Sequence, residues 1–300
     1  MTDKAPALMS VDVEDWFQVE NLRGAIARDT WNERELRVER NVGLILDILA
    51  ASGTKATFFT LGWVAERAPG LVKKIHSGGH EIASHGYGHD LIYNLTEDQF
   101  REDVTRSKKL LEDITGAPVM GYRASTYSIT KRSLWALDIL KEAGFLYDSS
   151  IFPIRHDLYG IPDAPQEPSR IKTPKGASIV EFPMSTAPMF GTKLPVSGGG
   201  YFRLLPYWLT QAGLRKLNGP LKRPFIFYLH PWEVDPEQPR VRTSFKSRLR
   251  HYTNLDRTEA RLRRLISEFR FAPVREVLSA QRLLVDSPAG WQVVAQGALA

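Results

Sequence analysis

The sequence predicts an α/β fold: a parallel barrel with fewer strands than the eight-stranded type. Three observations lead there. Seven short β-type runs recur along the chain, helical patterns separate several of them, and residues able to do chemistry sit where the runs end. Strand–helix alternation implies parallel strands joined by crossover helices. In a parallel barrel, the C-terminal edge of the strands hosts the active site.

The runs are ALMSV (7–11), ATFFTLG (56–62), HEIASHG (80–86), VMGYRA (119–124), FLYDSSIF (145–152), SIVEFPMS (178–185) and FIFYLH (225–230). Leu44, Ile45, Ile48 and Leu49 follow the i, i+3, i+4 pattern of a helix face. Val104, Leu110, Leu111 and Ile114 make a second helix, with Thr96 and Gln99 as its capping box. Leu134, Leu137, Ile139 and Leu140 make a third. The stretch 153–207 is proline-rich and holds SGGGYF (197–202). It is too long for an ordinary connection and predicts a functional loop region around one strand. From Ser244 onward the chain reads as helical, with Leu262, Leu265, Ile266 and Phe269 on one stripe. Residues 1–240 are therefore expected to form the barrel, and 241–300 a helical extension packed on it.

Composition narrows the chemistry. The 300 residues are 43% hydrophobic and 25% charged, which suits one large soluble domain with at most a small appendage. There is no cysteine, so any metal must be held by His, Asp or Glu. The start, MTDKAPALMSVDVEDW, lacks the basic and apolar regions of a signal peptide, and no segment is long enough to span a bilayer. That predicts a cytoplasmic protein. The net charge is +6, much of it late, in Arg240, Arg242, Lys246, Arg248, Arg250, Arg257, Arg261, Arg263, Arg264 and Arg270. A solvated helical face is the plain reading; weak contact with an anionic surface is the sharper one. No nucleic-acid motif accompanies it.

Five suspects end strands. Asp12, Glu14 and Asp15 close the first run, and two carboxylates on one face need a cation or a shared proton. His85 and His89 in SHGYGH stand four apart, on a helix or a turn, and either can converge two nitrogens on an ion. Two histidines and a carboxylate form a catalytic metal set that leaves room for water and substrate. Zinc is the first expectation, with cobalt, nickel or iron as alternatives. Arg123 in GYRASTY can hold a carboxylate ionised. Asp148 lies in YDSS, and His230 ends the most hydrophobic run in FYLHPWE.

The order of these motifs resembles the polysaccharide deacetylase family of carbohydrate esterases, over roughly residues 7 to 232. The resemblance implies a distorted (β/α)7 barrel and a metal-dependent hydrolase removing N-acetyl groups from hexosamine units of an acetylated polysaccharide or oligosaccharide. Carried across, it makes Asp12 the general base, Glu14 the metal carboxylate with Asp15 as alternative, and His85 and His89 the metal histidines. It makes Arg123 the holder of the base and gives Tyr127 the backbone N–H that stabilises the oxyanion. Asp148 and His230 become the pair in which histidine is the general acid. The sequence departs from the family pattern at Glu14 (usually Asp), Gly86 (usually Ser or Thr) and RASTY, which lacks the usual proline. The ending HYTNLDRTEARLRRLISEFRFAPVREVL and the loop SGGGYFR resemble a narrower group, deacetylases of exosortase-linked exopolysaccharide systems with an extra C-terminal region. Tyr201, Tyr207 and Trp232 offer faces on which sugar rings could pack. The rival readings are an allantoinase-like or imidase-like hydrolase of small cyclic amides, metal-independent in some relatives, and a non-catalytic carbohydrate-binding barrel.

Overall fold

The computed structural model describes residues 6–294. The first residues of the expected barrel (1–5) and the last of the expected extension (295–300) lie outside the described residues. The strands are β1 Ala7–Val13, β2 Thr57–Thr60, β3 Glu81–Ser84, β4 Gly121–Tyr122, β5 Tyr147–Asp148, β6 Ser169–Lys172, β7 Ser178–Glu181, β8 Thr186–Met189, β9 Thr192–Pro195, β10 Phe225–Leu229, β11 Phe271–Ala272, β12 Leu284–Ser287 and β13 Gly290–Val293. The helices are α1 Val38–Ala51, α2 Gly62–Arg67, α3 Pro69–Ser77, α4 Glu97–Thr115, α5 Ala136–Glu142, α6 Gly199–Leu204, α7 Tyr207–Asn218, α8 Phe245–Tyr252, α9 Leu255–Glu268 and α10 Val274–Ala280. Each of the seven β-type runs contains a strand.

These seven strands pair in the order β10-β1-β2-β3-β4-β5-β7, with β6 antiparallel at the β7 edge. The others are parallel to their neighbours. Every residue of β1 is buried, as expected of a central parallel strand covered on both faces. Helix α4 starts at the expected capping box, where Gln99 N donates to Thr96 Oγ1 and Thr96 N donates to Gln99 Oε1. It stops at Gly116, whose φ of 68° is costly for other residues.

The curled sheet does not close by direct pairing of β7 with β10. Residues 184–198 fill that gap. Met184 N donates to Ile151 O, Ile226 N to Ser185 Oγ and Tyr228 N to Ser197 O. Ser197 Oγ ties back to Ser185 O, and Gly198 bridges Tyr228 in parallel fashion. A Cβ on Gly198 would lie 1.9 Å from Tyr228 O, so this crossing requires glycine. The proline-rich stretch is therefore more structured than a loop around one strand: it holds β6, β7, the β8–β9 hairpin and α6.

The expected extension is helical in α8, α9 and α10, with three short strands besides. Helices α8 and α9 are present, and α9 buries Leu262, Leu265 and Ile266. Beyond them β11 adds to the sheet beside β1, and β12 and β13 form an antiparallel hairpin. Short apolar pieces such as FAPV can take up a free sheet edge, and a helical pattern does not reveal that. Among the described residues, no helix is long and apolar enough to cross a membrane.

Candidate active site

Asp12, His85, Arg123 and His230 lie at or just beyond the C-terminal ends of β1, β3, β4 and β10. Asp12 is still in β1. Glu14 lies just past it, where Glu14 N bonds back to Asp12 O at 3.0 Å. This i to i+2 bond turns the chain at the strand end.

Arg123 is fully buried and spends its donors inside the fold. Nη1 reaches Asp12 Oδ1 at 2.6 Å and Ser10 Oγ at 2.9 Å; Nε and Nη2 reach Ser149 O and Oγ, both at 3.1 Å. Its guanidinium also lies 4.0 Å from the centre of the Phe59 ring. A buried ion pair in which all three guanidinium nitrogens are bonded fixes the orientation of Asp12.

His85 and His89 sit on a turn, not a helix. Asp103, from α4, accepts the N–H groups of Tyr87 and Gly88 at 2.8 and 2.9 Å and shapes it. Gly86 takes φ 74°, and a Cβ there would lie 2.6 Å from Asp103 Oδ1, which accounts for glycine at this position. His89 itself is left-handed, with φ 55°. His85 places Nδ1 2.8 Å from Arg123 O, so that nitrogen carries the proton and Nε2 keeps its lone pair. Burial pulls its imidazole down to about 4, which keeps the ring neutral.

Glu14, His85 and His89 bring one ligand atom each to within 4.8 Å of one another, all buried. Glu14 Oε2 lies 2.6 Å from His89 Nε2, yet accepts no hydrogen bond. A buried carboxylate oxygen set against a ring nitrogen calls for a cation or a proton between them, so the three residues fit a divalent metal. Glu14 Oε1 is held by Trp232 Nε1 at 3.0 Å. Burial alone would raise the Glu14 carboxyl; His89, His230 and His85 outweigh it and hold the group ionised, well below the usual range.

His230 faces this cluster from β10. Its Nε2 is 3.7 Å from Glu14 Oε1 and 4.0 Å from Asp12 Oδ2. Its Nδ1 is 3.2 Å from Glu233 Oε2. Burial would lower the ring, but Glu14, Glu233 and Asp12 raise it to about 9, so it is an imidazolium at neutral pH. Glu233 in turn meets Arg203 Nε at 2.7 Å, and despite its burial Arg203 and His230 hold it at about 2. Arg203 is fixed by the carbonyls of Arg250, His251 and Thr253.

Three expectations do not match this geometry. Asp148 does not partner His230: it sits in register with Glu181 on β7 and accepts from Ser150 Oγ at 2.5 Å. Asp15 is outside the ligand trio: its oxygens accept the N–H groups of Trp16, Arg37 and Val38, at the start of α1. The Tyr127 N–H already donates to Ala124 O at 3.0 Å within a helical turn, so it does not point at an oxyanion. Sequence reasoning missed Glu233 and Arg203. The Glu three residues after His230, in HPWE, was the available signal.

A cleft of about 340 Å³ exposes Asp12, Glu14, His85, His89 and His230 together. Tyr127, Tyr159, Tyr201, Tyr228 and Trp232 line it. Tyr207 does not; it packs on Phe202 and under Arg264.

Residues 30–147 match the sequence profile of the polysaccharide deacetylase family, and residues 149–279 match a domain of unknown function, DUF3473. A Bacillus cereus peptidoglycan-N-acetylglucosamine deacetylase is 39% identical over 72 residues, which are 24% of this chain and 26% of the relative. The chain thus spans about a quarter of that relative's length. A solved Mycobacterium smegmatis protein, named for the polysaccharide deacetylases, aligns with TM-score 0.63 and 20% identity over 98% of this chain and 95% of its own. The solved PuuE allantoinase aligns with TM-score 0.62 and 16% identity over 93% of this chain and 90% of its own. At those identities the two structures speak for the fold alone. The profile matches and the order of motifs agree: the chain carries a polysaccharide deacetylase domain over residues 30–147, followed by a DUF3473 domain over residues 149–279.

Proposed function

We propose that the protein is a metal-dependent N-deacetylase acting on hexosamine units of a polysaccharide or its precursor, in exopolysaccharide biosynthesis. One observation carries the reading. The Glu14–His85–His89 trio, Asp12 with Arg123 paired behind it, and His230 meet at one cleft. Glu14, His85 and His89 would hold the ion. A divalent ion there would polarise the acetyl oxygen and acidify a water. Asp12, aimed by Arg123, takes the proton of the attacking water. His230 carries its proton on Nε2, facing the cleft, while Glu233 holds Nδ1. It gives that proton to the amine nitrogen as the C–N bond breaks, releasing acetate and a free amine. The tyrosines along the cleft offer flat faces for sugar rings.

The test is acetate release from N-acetylglucosamine oligomers, beside ring opening of allantoin, with and without chelator. Acetate release that chelation stops supports the reading. Ring opening that survives chelation would establish the cyclic-amide alternative.

A further inference from the structure

Helix α8 presents an apolar face that the cleft does not use. Phe245 is 71% exposed and Leu249 47%. Four residues apart, they share one side of the helix. His251, roughly 200° further round from Leu249, is buried and stacks on Trp232 with ring centres 4.3 Å apart. The bonds from Arg203 to the carbonyls of Arg250, His251 and Thr253 fasten that inner side. The helix is thus anchored from within, and its outer face is uncovered.

The charge on the stretch of chain that carries that face is of one sign. Residues 239–255 contain no Asp or Glu but hold Arg240, Arg242, Lys246, Arg248 and Arg250. Arg242 has no partner among the described residues, and Arg248 lies 5.7 Å from the centre of the Phe245 ring. Lys246 meets Asp157 only in an exposed pair, which solvent exchanges easily. Arg250 turns inward and lines the cleft. An exposed Phe–Leu pair rimmed by cations matches a surface that is anionic outside and apolar just beneath. A soluble polyanion would engage the cations and leave the two apolar side chains in water.

We propose that α8 docks the molecule on the anionic face of a lipid bilayer. Phe245 and Leu249 enter the acyl boundary, and Arg242, Lys246 and Arg248 meet headgroup phosphates. The cleft bordered by the same helix then opens beside the membrane. This goes beyond the deacetylase reading, and its test needs no turnover.

The experiment is co-sedimentation of the full chain with vesicles of phosphatidylcholine mixed with phosphatidylglycerol, and with pure phosphatidylcholine. The mixed vesicles should bind, less so as salt rises. Phe245→Ser with Leu249→Ser should weaken that binding by at least about tenfold, given the apolar area lost from the contact, without moving the thermal midpoint. Arg242→Gln with Arg248→Gln should remove the preference for anionic vesicles. Equal binding to both vesicle types, or wild-type binding by the Ser pair, overturns the proposal. So does binding to dextran sulfate without binding to vesicles, which would assign the face to a soluble polyanion.

Discussion

Nδ1 of His230 lies 3.2 Å from Oε2 of Glu233, a residue only three positions along the chain. The other oxygen of Glu233 is locked to Arg203, so the imidazole is held by a carboxylate that cannot itself turn. Glu233→Gln should lower kcat by about a hundredfold, the low end of what a positioned proton donor contributes, with KM little changed. Asp148→Asn should keep kcat within a few-fold of wild type. Steady-state kinetics on one soluble oligosaccharide would decide between the two carboxylates, and the reverse ranking would restore Asp148 as the partner.

Asp12 and the ligand trio are separable. Asp12→Asn keeps the shape and a hydrogen bond to Arg123 but removes the proton acceptor. Turnover should fall by about a hundredfold or more while bound metal, by elemental analysis, stays at the wild-type level. Activity near wild type would rule out Asp12 as base.

Glu14 and Asp15 are neighbours with different tasks. Glu14→Ala should cut metal content, as should His85→Ala combined with His89→Ala. Asp15→Ala should retain the metal and instead lower stability by about 1–2 kcal/mol, because the N–H groups of Arg37 and Val38 lose their acceptor. Metal analysis and denaturant titration of the same preparations check both halves.

Asp148 and Glu181 form a buried acid pair. Burial raises both carboxyls; Asp148 raises Glu181 further while Glu181 partly lowers Asp148, and Arg123 only partly offsets the rise of Glu181. Asp148 Oδ2 and Glu181 Oε2 are buried without a hydrogen-bond partner, which favours keeping a proton on the pair. The sign follows. Below the ordinary carboxylate range, near pH 4, folded and unfolded chains are both protonated and the pair's contribution is fully present. As pH rises the unfolded chain releases a proton that the folded one keeps, so stability falls until the folded pair ionises. The slope is at most about 1.4 kcal/mol per pH unit for one proton. Glu181→Gln should flatten the stability profile between pH 5 and 8 relative to wild type. Parallel profiles from urea unfolding would remove the shared proton from the account.

Much of this was legible in the sequence, and the limits have physical causes. Parallel strands buried on both faces write continuous apolar runs, so all seven runs contain strands. Glycine at 86 departs from the family pattern, but its reason lies in Asp103, on a helix that no local pattern connects to it. The cap on α1 comes from Asp15, 22 positions before Arg37, and looks in sequence like one more acid of a metal cluster. Arg203 reaches Glu233 across 30 residues of chain, and such a contact has no period to betray it.

The segment 184–198 that completes the sheet has a further consequence. It hands the chain directly to α6, which carries Arg203 and so governs His230. The polysaccharide deacetylase profile covers 30–147, and with the segment before it encloses Asp12, Glu14, His85, His89 and Arg123; His230 and Glu233 belong to the DUF3473 half. On the proposed mechanism, neither portion alone would own a working centre. Cut between them, the first would keep a grip on metal and expose the β1 edge that β10 now covers, while the second would keep an imidazole with nothing to protonate. Turnover recovered on mixing the two would therefore serve as a complementation assay, reporting how well the halves find each other.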